Sequence, residues 1–189
     1  MKRIGQFLAK MGFSKNRQKV DIVDAIVPIV KQDPNKIAVL RFFFDFGAGG
    51  CLWNGDKTSY ELFDGGTLER AEFDLDGNMR ELPFILLSKA TLLLIDELDT
   101  INYYYLNQKY QPDPSPWRQS LCDEFNSKID ELLLMIIDQI GDKFEIVDTQ
   151  IRYQEDPHLD AYLGQNPDVL ALNTIADVKR LIEKGRIFF

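Results

Sequence analysis

The chain has 189 residues, 45% of them hydrophobic, which predicts one globular domain with a substantial core. Its formal net charge of −8 argues against nucleic acid as the main partner, because binding to phosphates needs a basic surface. The sequence contains no stretch of about eighteen apolar residues, so no integral membrane segment is predicted.

Residues 1–35 are predicted to form an N-terminal helical segment. Its first part, residues 1–20, contains six Lys or Arg residues and no acidic residue. A basic amphipathic segment either docks on the acidic body of its own protein or contacts a membrane surface or an acidic partner. No apolar stretch follows the basic residues, so a secretory signal is not expected.

The stretch from Lys36 to Trp53 has the strongest strand signal in the chain. It begins with β-branched and aromatic residues, and one of its two alternating faces is apolar throughout. That face consists of Ala38, Leu40, Phe42, Phe44 and Phe46. The glycine-rich segment 47–50 permits a reversal, and 51–53 resumes an apolar strand. We therefore expect a β-hairpin whose apolar face points into the core.

The region from 54 to 82 is predicted to add further strands to this sheet. Strand-like segments at 59–63, 68–75 and 79–82 are separated by turn-forming residues. The residues Glu72, Asp74, Asp76 and Gly77 are similar to the start of a calcium loop. Its twelfth position is Pro83 and not a bidentate glutamate, so no calcium site is predicted.

Two long helices are predicted next, over about 88–107 and 116–140, with Ser88 and Ser115 as N-caps. A short strand over 144–147 follows the second helix. The fold class is therefore predicted as α+β, with an antiparallel sheet (hairpins around 36–82 plus 144–147) packed against the two helices. Residues 36–148 form the predicted core, and 149–189 are a C-terminal extension that includes a final helix over 174–184.

Each long helix carries an acidic outer face opposite its apolar stripe. The face of the first helix contains Asp96, Asp99 and Tyr103. The face of the second helix contains Asp123, Asp130 and Asp138, with Leu134 among them and Ile137 beside them. An apolar residue ringed by carboxylates is typical of a protein contact patch, or a neighbouring segment covers Leu134.

The sequence offers little for catalysis. His158 is the single histidine, and no nucleophile elbow, P-loop or dinucleotide-binding glycine motif is present. Cys51 and Cys122 are predicted to be buried thiols in a reducing cytoplasm. We therefore predict a cytoplasmic protein that is not an enzyme and that needs no cofactor and no metal.

Several short motifs occur in a characteristic order. They are FDFGAGGCLW (44–53), ELPFILLS (81–88), YYLN (104–107), PSPW (114–117), CxxFN (122–126) and DKFEIVD (142–148). This order resembles a diffuse family of small acidic bacterial proteins that includes polymorphic-toxin immunity proteins. The resemblance implies a protein that neutralises a cognate toxin delivered by a neighbouring cell.

Two functional hypotheses follow from the sequence. The first is an immunity or antitoxin-type protein that binds a cognate toxin through the acidic helix faces. The sequence leaves the class of the toxin open; if it is a nuclease, its active-site cleft is cationic and fits an acidic surface. The alternative is a small-molecule-binding domain or small enzyme with a pocket beside the 36–53 hairpin. That pocket is predicted to be lined by Arg41, Asp45, Trp53 and Tyr60.

Overall fold

The computed structural model describes residues 35–63, 65–70 and 84–184. The N-terminal segment up to residue 34, the predicted strand residues 71–82 and the calcium-loop residues lie outside this part of the chain. The elements in chain order are β1 (Ala38–Phe42), β2 (Leu52–Asn54), α1 (Lys57–Phe63), α2 (Lys89–Tyr103), α3 (Gln119–Ile140), β3 (Phe144–Asp148), α4 (Leu159–Gln165) and α5 (Ile175–Glu183). The prediction of a mixed α+β protein is confirmed.

The described sheet has three strands in the order β2-β1-β3. β1 runs antiparallel to β2, with Arg41 opposite Trp53, and parallel to β3, with Leu40 opposite Ile146. The prediction of a purely antiparallel sheet is therefore wrong. Three helices of the described residues, α1, α2 and α3, lie between β2 and β3 in the chain, and a crossover of this kind allows a parallel strand to join the same sheet.

The segment predicted as a strand at 59–63 is instead helix α1. Asp56 Oδ1 accepts a hydrogen bond of 2.8 Å from the Ser59 N–H, and Ser59 Oγ accepts one of 3.0 Å from the Gly55 N–H. These bonds satisfy backbone donors where the helix begins, as N-caps do. The turn signal at 54–56 thus starts a helix and does not join two strands.

The long helices begin in different ways. Ser88 caps α2 as predicted, because its Oγ accepts from the Thr91 N–H at 3.2 Å. α3 begins at Gln119 and not at Pro116, since Leu172 pairs with the extended backbone on either side of Trp117. The first turn of α3 is capped from a distance by Glu155, whose Oε2 accepts from the Gln119 N–H at 2.7 Å.

One buried apolar cluster joins the sheet to the helices. Its members include Leu40 and Phe42 from β1, Ile95, Leu98 and Ile101 from α2, Phe125, Ile129, Leu132 and Ile136 from α3, and Val178 from α5. Helix α5 therefore shares the core with the region before it. None of the described helices is long and apolar enough to cross a membrane.

Candidate functional site

The outer face of α3 combines exposed apolar side chains with carboxylates. Leu134 is 67% exposed and Ile137 is 42% exposed, so no segment in the described part of the chain covers them. The helical period places Leu134 opposite the buried stripe that contains Leu132 and Ile136, and it places Ile137 at the border of this outer face. We call this surface the α3 ridge; it consists of Asp123, Asp130, Leu134, Ile137 and Asp138.

The carboxylates of the α3 ridge differ in their partners. Asp130 forms an ion pair of 2.7 Å with Arg152. Asp123 accepts a hydrogen bond of 2.7 Å from the Gln119 amide, and no described cation pairs with Asp123 or Asp138. Arg152 therefore neutralises the negative charge of Asp130, whereas no described cation neutralises the charges of Asp123 and Asp138.

The residues predicted on the outer face of α2 do not form one open acidic surface. Asp96 pairs with Arg70. Asp99 is half-buried, and burial raises the pKa of its carboxyl, against the opposing effect of the Arg70 charge. Tyr103 is exposed and packs edge-to-face on Tyr104, with ring centroids 5.8 Å apart. Asp99 thus belongs to the interior side of this helix more than to its outer face.

Helix α5 occupies a position against both long helices. Lys179 Nζ lies 2.8 Å from the carboxylate of Glu97 on α2. Glu124 on α3 accepts a hydrogen bond of 2.9 Å from the Ile175 N–H at the start of α5. No described contact joins the acidic set of α2 to the α3 ridge, so the two faces are separate candidate surfaces.

Two of the four residues predicted to line a pocket beside the hairpin are packed together. The Arg41 guanidinium lies over the Phe43 ring at 5.3 Å, and Phe43 stacks on Trp53 at 5.2 Å. Arg41 Nε donates to the Asn54 carbonyl at 3.0 Å, and Trp53 Nε1 donates to the Phe43 carbonyl at 2.9 Å. Their polar groups are thus engaged within the sheet itself.

The other two predicted pocket residues take no part in this stack. Asp45 Oδ1 accepts a hydrogen bond of 2.9 Å from the N–H of the next residue, Phe46. Tyr60 projects from α1 and is exposed. Arg41 and Asp45 form no ion pair with each other in the described structure.

A buried carboxylate that the sequence did not indicate closes the hairpin turn. Glu69 is 3% exposed, and its carboxylate accepts hydrogen bonds from the N–H of Cys51 at 2.5 Å and of Leu52 at 3.2 Å. Burial raises the pKa of Glu69 and also that of the Cys51 thiol beside it. A raised thiol pKa means little thiolate, so this pair is suited to holding the turn and not to nucleophilic chemistry.

Metal ligation has no support in the described residues. No three His, Cys, Asp or Glu side chains in this part of the chain are grouped so that they could hold a metal ion. The backbone N–H of His158 donates to the Asp156 carboxylate at 2.8 Å, in a turn that precedes α4. Both cysteines are free and buried, as predicted.

No protein-family model, curated protein or solved structure matches the chain. The resemblance to immunity proteins therefore stays a prediction based on the order of its motifs.

Proposed function

We propose that this protein is an immunity-type binding protein that neutralises a cognate bacterial toxin by direct contact through the α3 ridge. The observation that carries the proposal is the exposure of Leu134, at 67%, in the middle of a carboxylate-rich helix face. Blocking a toxin by contact needs a complementary surface and not a catalytic group.

The apolar part of the ridge supplies the central contact. Leu134 and Ile137 are one turn apart on α3, so both can enter one pocket of a partner. Binding energy in protein interfaces is concentrated in a few central residues that lose their water, surrounded by a polar rim. The ridge has this arrangement, with the carboxylates as the rim.

The charged part of the ridge favours a cationic partner. Asp123 and Asp138 have no described cation beside them, and the whole chain carries a net charge of −8. Complementary charge speeds association and excludes partners of the wrong sign. The partner that fits is a protein with an apolar socket rimmed by Lys or Arg, as in the basic cleft of a nuclease toxin.

The helix that carries the ridge is held rigidly. Its inner stripe, including Phe125, Ile129 and Leu132, is fully buried against the rest of the core. In this proposal, α2 and α3 on the sheet form the scaffold that presents the surface. A surface on a fixed helix loses little conformational entropy on binding, which favours tight association.

Co-expression in bacteria tests the proposal. The chain is produced together with the candidate toxin encoded immediately upstream of it, and growth is measured. We expect the wild-type chain to restore growth and the purified proteins to form a complex. Leu134→Arg places a cation in the central contact, so we expect it to abolish rescue and to weaken binding at least about tenfold.

Leu93→Arg is the matched control, because Leu93 is a 58% exposed leucine on the outer side of α2. It should retain rescue and affinity, and thermal melting should show that both variants fold. If no upstream toxin is neutralised by the wild-type chain, the proposed function is wrong. If Leu93→Arg loses protection while Leu134→Arg keeps it, the binding surface lies on α2 and the assignment of the α3 ridge is wrong.

A further inference from the structure

We propose that a groove between the C-terminal end of α2 and α5 binds a small, neutral and mainly apolar molecule that carries one hydrogen-bonding group. The groove has a volume of about 550 Å³. Sites for small molecules typically have volumes of about 300–1,000 Å³ and are lined mostly by apolar side chains. None of its lining residues belongs to the α3 ridge, so this proposal is independent of the proposed function.

One wall of the groove is apolar and fixed by backbone bonds. Its apolar residues are Pro116, Val169, Leu170, Leu172 and Leu181. The Leu172 N–H donates to the Pro116 carbonyl at 2.9 Å, and the Arg118 N–H donates to the Leu172 carbonyl at 2.9 Å. This bridge holds the segment before α5 against the start of α3, so the apolar wall is present before any ligand arrives.

A second part of the groove lining is a loop that the Asn107 side chain holds together. This side chain is buried, and its Nδ2 donates to the Pro114 carbonyl at 2.9 Å. Its Oδ1 accepts from the N–H groups of Lys109 at 3.0 Å and Tyr110 at 3.3 Å. The amide therefore ties the two ends of the loop together, and the groove keeps its width.

The rim of the groove carries no unbalanced charge. Lys109 Nζ and the Asp168 carboxylate lie 3.1 Å apart, and both residues line the groove. Each charge is satisfied by the other, so an ionic ligand would compete with an existing pair. A neutral ligand meets no such cost, and we therefore infer from this ion pair that the ligand is uncharged.

Tyr104 supplies a polar group that has no partner. It lines the groove and is 7% exposed, and its hydroxyl makes no hydrogen bond to the described part of the chain. Burial raises the pKa of this phenol, so the hydroxyl is neutral and able both to donate and to accept. The hydroxyl oxygen is not fully enclosed by the described protein, so a ligand with one donor or acceptor can bond to it in place of water.

Fluorescence titration with N-phenyl-1-naphthylamine, a neutral apolar probe with one N–H group, tests the site. We expect saturable one-to-one binding by the full chain. Leu170→Trp fills the groove from its rim, where Leu170 is 59% exposed, and should weaken probe binding at least about tenfold. Leu93→Trp adds the same ring on α2, away from the groove, and should bind the probe as the wild type does.

Tyr104→Phe keeps the ring and removes only the hydroxyl. We expect probe binding about two- to tenfold weaker, the usual effect of losing one neutral hydrogen bond. Thermal melting of each variant checks its folding, and Tyr104→Phe tests the site even if the Trp variant unfolds. The proposal is overturned if the wild type shows no saturable binding, if Leu170→Trp folds and binds normally, or if Tyr104→Phe leaves the affinity unchanged.

Discussion

The Arg152 guanidinium lies 2.7 Å from the carboxylate of Asp130 on α3 and 2.7 Å from that of Asp148 at the end of β3. One cation therefore ties the segment after β3 to the outer face of α3. Asn126 reinforces this link, because its amide bonds both the N–H and the carbonyl of Tyr153, each at 2.9 Å. The edge of the α3 ridge is thus built from residues distant in sequence.

Replacing Arg152 with glutamine should lower the free energy of unfolding by about 1 kcal/mol. The change removes two partly exposed ion pairs and a hydrogen bond to the Gln150 carbonyl, each of which contributes modestly. Urea unfolding of the purified variant measures the effect. Lys57→Gln is the control: its ion pair with Glu61 spans 3.5 Å between highly exposed side chains, so no measurable change is expected. Equal losses in both variants would contradict the structural role of Arg152.

The buried Glu69 should make stability depend on pH. Its pKa in the folded protein is raised above its ordinary value by burial, so folding favours the protonated form. The stabilisation is fully present below pH 4.5, and it is lost as pH rises through the folded-state pKa. Glu69→Gln removes this titration while keeping an oxygen that accepts from the Cys51 N–H.

Urea unfolding at a series of pH values checks this prediction. The variant should gain stability relative to the wild type as pH rises from about 4.5, by at most about 1.4 kcal/mol per pH unit. Asp99, whose pKa is also raised, and Arg70 lie close to this site and remain in both proteins, so the difference isolates Glu69. A difference that is flat with pH, or that falls, would show that Glu69 is ionised as readily in the folded as in the unfolded chain.

The parts of the fold that follow from local pattern were predictable from the sequence. The apolar stripe of α3 repeats with helical period, which predicts that the following residues face the core, and all of them are buried: Leu121, Phe125, Ile129, Leu132, Ile136 and Ile140. The sequence also predicts that Ser88 caps α2, because an N-cap depends only on the residues beside it. The exposure of Leu134 agrees with the helical period in the same way.

The parts that depend on distant residues were not predictable. The parallel pairing of β1 with β3 depends on how the chain crosses over between them, which no local pattern encodes. Arg152 neutralises the charge of Asp130, and Glu69 accepts a hydrogen bond from the Cys51 N–H. The residues of each pair are far apart in the sequence, so no motif spacing predicts these contacts. The Ser115-Pro116 capping signal predicts that α3 starts at Pro116, but α3 starts at Gln119. The reason is that Leu172 pairs with the backbone at Trp117, and the local sequence does not show this contact.

Both cysteine thiols should be unreactive in the folded protein. Cys51 and Cys122 are buried, and burial raises the pKa of the Cys122 thiol to about 11 and that of Cys51 well above its ordinary value. At pH 8 neither thiol is accessible or appreciably ionised. Ellman's reagent should therefore react slowly with the native chain and rapidly with both thiols in guanidinium chloride. In the Cys122→Ala variant the whole reaction with Ellman's reagent comes from Cys51. Fast reaction of this variant in its native state would mean that Cys51 is accessible.

Gly50 should be the least replaceable of the described glycines near the hairpin turn. A Cβ at this position would lie 2.5 Å from Glu69 Oε1 and 2.8 Å from Thr67 Cβ. An alanine there must displace the carboxylate that bonds the Cys51 N–H, so we expect Gly50→Ala to cost about 2 kcal/mol.

Gly65→Ala is the matched substitution for this test, because a Cβ at Gly65 would meet no atom within 4 Å and its φ is not in the left-handed region. The added methyl group there restricts mainly the unfolded chain, so stability should stay the same or rise by up to about 1 kcal/mol. Urea unfolding of the two variants decides between a steric effect and a general cost of replacing glycine.

In the double variant Gly50→Ala with Glu69→Ala, the second change should cost less than Glu69→Ala alone, because Gly50→Ala has already disturbed the bond between Glu69 and the turn. Fully additive losses would show that the methyl group at position 50 acts on something other than this carboxylate.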